Sequence, residues 1–326
     1  MKKLFNLSTL ALLFSCSADE PTGGANYTLP GEMIAHQFYV YVATPTGDSL
    51  RFFTDTGGGV FLMPQAAKDL NLTLTEEDMD GQKGNLAQFA DLCADASFPV
   101  VSMRGRQIIP VMSEEVIAKK NMFDASVDGM LGQAWFANHT WRMDYKSGQL
   151  TVNVPAVEEE GEHIAPLGFF ENKLGMRQMN FPRIQMEVEG EALDVLFDTG
   201  ASLFPSTEAG KAMGDTVHTQ IGTSFIIDSV LNRWAEQHPD WRIIINSDAK
   251  MGGNDYVVRS IEVPSIKVAG HEVGPVWFTS RPNENFTGYM SQWMDQTVYG
   301  ALGGSAFQYF TITVDYPNAR AKFEKN

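Results

Sequence analysis

Two cysteines in 326 residues are too few for a disulfide-built scaffold or a cysteine-rich zinc module. The six histidines are scattered, and His271-Glu272 lacks the second histidine of a zinc-protease helix, so no metal is expected. Basic residues are scarce as well. Lys and Arg number 24 against 40 Asp and Glu, a net charge of -16 at neutral pH. That balance provides no basic face to neutralise phosphates and excludes nucleic acid as a partner. No apolar run approaches the roughly 18 residues of a membrane span. A Gly-x-Ser-x-Gly nucleophile elbow is missing, and Gly300 to Ser305 does not match a dinucleotide or phosphate loop. What remains, 44% hydrophobic and 20% charged, is ordinary for a soluble globular chain long enough for two domains.

The N-terminus has its own character. Lys2 and Lys3 precede a mostly apolar stretch from Leu4 to Ser15, followed by Cys16. A positive start, a short apolar core and small residues at its end read as an export signal. Leu13-Phe14-Ser15-Cys16 resembles the lipobox of bacterial lipoproteins. The resemblance implies a signal over residues 1–16, Cys16 as the lipidation site, and a place in the bacterial cell envelope, held to a membrane by the lipid alone. The small, polar residues that follow suit a flexible tether, assigned to residues 17–30. With Cys16 lipidated, Cys93 has no partner for an intramolecular disulfide and is a buried small residue or a free thiol.

Beyond the tether, short apolar or alternating runs dominate. They cover Phe38 to Ala43, Leu50 to Thr54, Pro99 to Met103, Gln107 to Met112 and Leu150 to Val154. The second half continues with Ile184 to Val188, Leu193 to Phe197, Ile243 to Ile245, Tyr256 to Val263, Val276 to Thr279 and Phe310 to Val314. Gly, Pro, Asn and Asp turns separate them, the pattern of an all-β fold with few helices. Apolar Val230, Leu231 and Trp234 put a helix over Asp228 to Gln237, and Glu114 to Lys120 is a second candidate. The acidic stretch Pro155 to Glu162 has no apolar face and marks a boundary between a domain over residues 31–157 and one over 158–326.

An internal repeat carries the functional signal. Phe52-Phe53-Thr54-Asp55-Thr56-Gly57 matches Val195-Leu196-Phe197-Asp198-Thr199-Gly200: in each an Asp closes an apolar strand just before Thr-Gly. Downstream, Asp128-Gly129-Met130-Leu131-Gly132 matches Tyr299-Gly300-Ala301-Leu302-Gly303. Asp144-Tyr145 and Asp315-Tyr316 then follow at one spacing (144 − 129 = 15; 315 − 300 = 15). A single Asp-Thr-Gly is no more than a strand-ending turn. Two copies, each with its glycine-bounded partner, are a specific pattern.

From about Gln37 to Phe323 the chain resembles the bilobal aspartic proteases of the pepsin type, with retroviral-protease character around the second aspartate. The resemblance implies two β-barrel-like lobes related by a pseudo-two-fold axis, with Asp55 and Asp198 as the catalytic pair. Thr56 and Thr199 would make crossed hydrogen bonds beneath the site, and Gly57 and Gly200 would permit the tight turn. Gly129, Gly132, Gly300 and Gly303 would brace the two loops, with Ser202 a further supporting residue. The activity implied is endopeptidic: a water between two carboxyls attacks the peptide carbonyl, with no cofactor and no covalent intermediate. Carboxylates about 3 Å apart cannot both ionise cheaply and share one proton. A monomer acting on peptide or protein substrates is expected. A second reading keeps the scaffold but makes it a catalytically silent peptide- or glycan-binding envelope lipoprotein.

Two departures from the family pattern matter. Gly58 follows the first Asp-Thr-Gly and Ala201 the second, where family members usually carry a hydroxyl that donates to the carboxylate. Without it, activity nearer neutral pH is expected. The family's flap tyrosine has no counterpart, since no Tyr lies between Asp55 and Asp144. A flap is expected within Gly84 to Leu92, with Gln88 or Phe89 at its tip.

Overall fold

The computed structural model describes residues 25–79, 82–103, 105–120, 126–251 and 256–326. Cys16 and the signal lie outside the described residues. The fold is all-β, with short helices at its margins. Three large sheets account for nearly all strands: one of eight strands, one of nine and one of six.

The eight-stranded sheet comes from the first half of the chain. Its order is Gly31–Ile34, Gln37–Ala43, Ser49–Thr54, Gly129–Leu131, Phe61–Leu62, Ile108–Val111, Gln82–Gln88 and Thr75–Met79. The nine-stranded sheet comes from the second half. From one edge inward its order is Ile243–Ile245, Arg259–Val263, Val276–Arg281, Ser224–Ile227, Gly300–Leu302, Glu191–Phe197 and Arg183–Val188. The same connectivity recurs at the middle of each. Ser49–Thr54 pairs in parallel with Gly129–Leu131, in register Thr54↔Leu131, and Glu191–Phe197 pairs in parallel with Gly300–Leu302, in register Phe197↔Leu302. On its other edge each glycine-led strand meets an antiparallel neighbour, Phe61–Leu62 or Ser224–Ile227.

These central strands are buried on both faces, which is why they read as unbroken apolar runs. In Ser49–Thr54 the last three residues are buried, and Gly129–Leu131 and Gly300–Leu302 are buried throughout. Glycine at 129 and 300 answers a packing demand. A Cβ on Gly129 would overlap the Phe61 carbonyl oxygen, and one on Gly300 the Phe225 carbonyl oxygen.

The six-stranded sheet joins the halves. Thr140–Asp144 pairs antiparallel with Phe310–Asp315, from Thr140↔Asp315 to Asp144↔Thr311. A continuous apolar core therefore runs through both halves, with Trp135, Trp141, Phe197, Phe307 and Tyr316 among its largest members. The acidic connection passes over the surface at Glu158 to Glu162, just after buried Val157 donates its N–H to Asp315.

Several expectations change. Residues 27–30, assigned to the tether, belong to the fold: Tyr27–Thr28 pairs with Gln149–Val152, and Leu29 is buried. Pro99 to Met103 forms no strand, because the Pro99 carbonyl accepts the indole N–H of Trp135 at 2.8 Å rather than a ladder bond. Gln88 and Phe89 are not a tip. Gln88 ends the return strand of the hairpin Thr75–Met79/Gln82–Gln88, and Phe89 is in the core with 0% exposure. The helices expected over Asp228–Gln237 and Glu114–Lys120 are present with those bounds.

Candidate active site

Asp55 and Asp198 each stand one residue past the end of a central strand, where the ladder continues for one more bond. The Asp55 N–H donates to Leu131 O at 3.0 Å and the Asp198 N–H to Leu302 O at 2.8 Å. Both loops then turn sharply. Gly57 N–H donates to Asp55 Oδ1 at 2.8 Å, and Gly200 N–H to Asp198 Oδ1 at 2.9 Å. Gly58 N–H closes the first turn on Asp55 O at 3.1 Å; Ala201 N–H closes the second on Asp198 O at 3.4 Å. Two loops far apart in sequence thus have matching local geometry because the same residue types end the same kind of strand.

The loops meet through their threonines. Thr56 N–H donates to Thr199 Oγ1 at 3.1 Å, and Thr199 N–H donates to Thr56 Oγ1 at 3.0 Å. The Thr56 hydroxyl in turn donates to Phe197 O at 2.7 Å. All three bonds are buried, where an unmade partner is costly. Above them the two carboxyls lie close enough for each to shift the other's protonation. Gly57 and Gly200 make that approach possible. A Cβ on Gly57 would sit 2.6 Å from Asp198 Cγ, and a Cβ on Gly200 would overlap the Asp55 carboxyl.

Burial pushes both carboxyls above the usual carboxylate range. Asp198 is pushed further, because burial is joined by the charge of Asp55, whereas the hydrogen bond from Asp198 holds Asp55 down. The two carboxyls titrate as a unit, and one proton belongs to the pair. Backbone N–H groups of Gly57, Gly58, Gly200 and Ala201 face the carboxyls and favour their charged forms.

The bracing glycines fall where expected. A Cβ on Gly132 would overlap the carbonyl oxygens of Gly58 and Gly59, and one on Gly303 would sit 2.8 Å from Asp198 O. Ser202 lies elsewhere than the carboxyls. Its hydroxyl donates to Gly200 O at 2.6 Å and accepts from Gln37 Nε2 at 2.6 Å and Gln220 Nε2 at 2.9 Å. This network ties the second loop to the first half, because Gln37 follows Ala35 and His36, a turn with φ of 47° and 64° whose Ala35 O accepts Gly222 N–H at 2.8 Å. Gln37 and Gln220 were not legible in sequence, since neither belongs to a repeated segment.

Two further groups lie under or beside the pair. Among the described residues the hydroxyls of buried Tyr145 and Tyr316 have no hydrogen-bond partner. Burial raises both phenols, with Asp198 adding to Tyr145 and Asp55 to Tyr316. Arg281 is also buried, with 5% exposure, and donates to Ser202 O at 3.5 Å. Among the described residues no cluster of His, Cys, Asp and Glu could hold a metal ion.

No protein-family model matches the chain, and no curated protein matches it. Among solved structures it is similar to the crystal structure of edgp, with 12% identity and a TM-score of 0.44 over 95% of this chain and 96% of that one. A score that low extends neither architecture nor activity from that protein to this one.

Proposed function

We propose that this protein is an aspartic endopeptidase of the pepsin type, with Asp55 and Asp198 as the pair that activates water. One observation carries the reading: two carboxyls set side by side over crossed threonine bonds, each shifting the other's protonation. The repeated strand order of the two sheets supports a bilobal arrangement in which each half delivers one aspartate. Fold alone would not license the activity; the reading rests on the site.

In this mechanism ionised Asp55 takes a proton from a water lying between the carboxyls while Asp198 gives its proton to the peptide carbonyl oxygen. The new C–O bond makes a tetrahedral diol. As it collapses, one diol hydroxyl gives its proton to Asp198, the C–N bond breaks, and the leaving nitrogen takes the proton held by Asp55, so the starting protonation state returns. The fixed turns and the threonine bonds keep the carboxyls aligned throughout, so little reorganisation is needed.

The protein is further proposed to reach the cell envelope as a lipoprotein anchored at Cys16. No helix among the described residues is long and apolar enough to cross a membrane. Labelling with a fatty-acid probe should mark the wild type and not Cys16→Ala.

The test of activity is cleavage of a diverse peptide library between pH 3 and 8, followed by mass spectrometry with and without pepstatin. Pepstatin-sensitive cuts are expected. A folded protein that cuts nothing would sink the enzyme reading and leave the scaffold as a binding protein.

A further inference from the structure

Arg281 ends the strand Val276–Arg281, between Ser224–Ile227 and Arg259–Val263 in the sheet that carries Asp198. Its guanidinium carbon sits 3.8 Å from the centre of the Phe225 ring, which fixes the group by cation–π attraction. Five N–H donors need acceptors. One is well served, since Nη1 donates to Ser280 O at 2.9 Å. Among the described residues Nη2 has only Ser202 O at 3.5 Å and the Met251 sulfur at 3.6 Å.

Among the described residues no carboxylate forms an ion pair with this cation. Asp248 and Asp198 are close enough for their charges to be felt, but each is engaged. Asp248 accepts the N–H groups of Phe204, Lys250 and Met251, and Asp198 belongs to the dyad. Burial lowers Arg281 only to about 10, so it stays charged across the working range. A buried cation with donors to spare is a costly thing to keep, and its position beside the Asp198 loop suggests what it is kept for.

We propose that Arg281 forms an anion subsite beside Asp198, filled by a carboxylate of the bound peptide in place of the Met251 thioether, so that the protein selects substrates with Asp or Glu near the scissile bond. The proposal rests on the peptide-hydrolase reading above. The geometry suits it. A guanidinium pairs with a carboxylate through two parallel N–H bonds, a fit an amide cannot reproduce. A thioether is a weak acceptor on a flexible, half-buried chain, and so an easily displaced cap.

The experiment compares peptides that differ only by Glu or Gln at each position flanking the cut. The wild type should favour Glu at one position by about tenfold or more in kcat/KM. In Arg281→Met that ratio should fall toward one, whatever the absolute rate. Met251→Glu, which places a carboxylate of the chain itself against the guanidinium, should erase the ratio in the same way. A wild-type ratio near one at every position would overturn the proposal, as would a ratio surviving in either variant. If no peptide is cut, the enzyme reading fails, and the subsite is read by the affinity of the wild type for the same peptide pairs. Equal affinity for every pair would then overturn it.

Discussion

Gly57 faces the carboxyl of Asp198, and the Cβ of any larger residue there would lie 2.6 Å from Asp198 Cγ. Gly200 faces Asp55 still more closely. Each loop therefore presents its glycine to the other loop's acid, and the dyad exists only because neither position carries a side chain. Gly200→Ala should drive Asp55 out of line and lower kcat/KM by about 100-fold or more, the scale of an ångström's misplacement. Its loss of stability should stay near 1–3 kcal/mol, roughly that of an overpacked site. Peptide cleavage with a melting curve on the same sample measures both. Wild-type activity in Gly200→Ala would refute the packing argument.

The crossed threonine bonds predict unequal costs. Thr56→Val removes the acceptor for Thr199 N–H and also the donor to Phe197 O, whereas Thr199→Val removes the acceptor for Thr56 N–H. Each buried group left unpaired costs about 1–3 kcal/mol. Thr56→Val should be the more destabilising of the two by urea denaturation. The reverse order would show that the second loop, not the first, holds the pair together.

The dyad should also set how stability varies with pH. Both carboxyls are raised above their unfolded values, so the folded state binds more protons than the unfolded chain. Stability contributed by the pair is complete below the ordinary carboxylate range, about pH 4, and is lost as pH rises through the raised value. Asp198→Asn keeps a hydrogen-bonding side chain without the ionisation. Its melting temperature relative to wild type should therefore climb as the pH is raised from the ordinary carboxylate range, about pH 4, through the raised value. A constant difference over that window would contradict the shared proton.

Gly58 and Ala201 supply no hydroxyl to the carboxyls, although Ala201 N–H already faces Asp198. Ala201→Ser should add a donor to the charged form and move the acidic limb of the pH–rate profile down by about one unit. At position 58 the same change meets Asp55 and the Met130 methyl, the latter at 2.9 Å, so Gly58→Ser should lose activity instead. Profiles of the two variants that shift alike would count against the asymmetry.

Tyr316 carries a phenol with no hydrogen-bond partner among the described residues, stacked against Phe136 and tilted onto Phe169. Removing an unsatisfied hydroxyl while keeping the ring is neutral or stabilising. Tyr316→Phe should raise stability by up to about 1 kcal/mol in urea denaturation. A loss of 2 kcal/mol or more, the roughly expected cost of a broken buried bond, would mean that the hydroxyl is satisfied after all.

Much of the site was legible because its chemistry is written twice. Asp-Thr-Gly at two strand ends, each with its glycine-bounded partner strand, points to Asp55 and Asp198, and the structure brings those two together. Strands buried on both faces were legible as apolar runs, and Asp228–Gln237 as a helix through Val230, Leu231 and Trp234. The hairpin Thr75–Met79/Gln82–Gln88 was not. Thr75-Glu76-Glu77-Asp78 is polar at every position and mostly exposed, so no alternation announces it. Arg281 was hidden for the opposite reason. A lone Arg before Pro282 reads as surface charge, and only the sheet around it shows it buried on Phe225. Ser202 was reached through the family resemblance, but its partners, Gln37 and Gln220, belong to loops outside the repeated segments.

The most direct test of the shared dyad is a comparison of kcat/KM for the wild type, Asp55→Asn, Asp198→Asn and the double variant on one well-cleaved peptide. If the two carboxyls act as a unit, each single variant should be as inactive as the double, because removing either member removes the whole mechanism. A single variant that keeps substantial activity, or losses that multiply in the double, would contradict a common water held by Asp55 and Asp198.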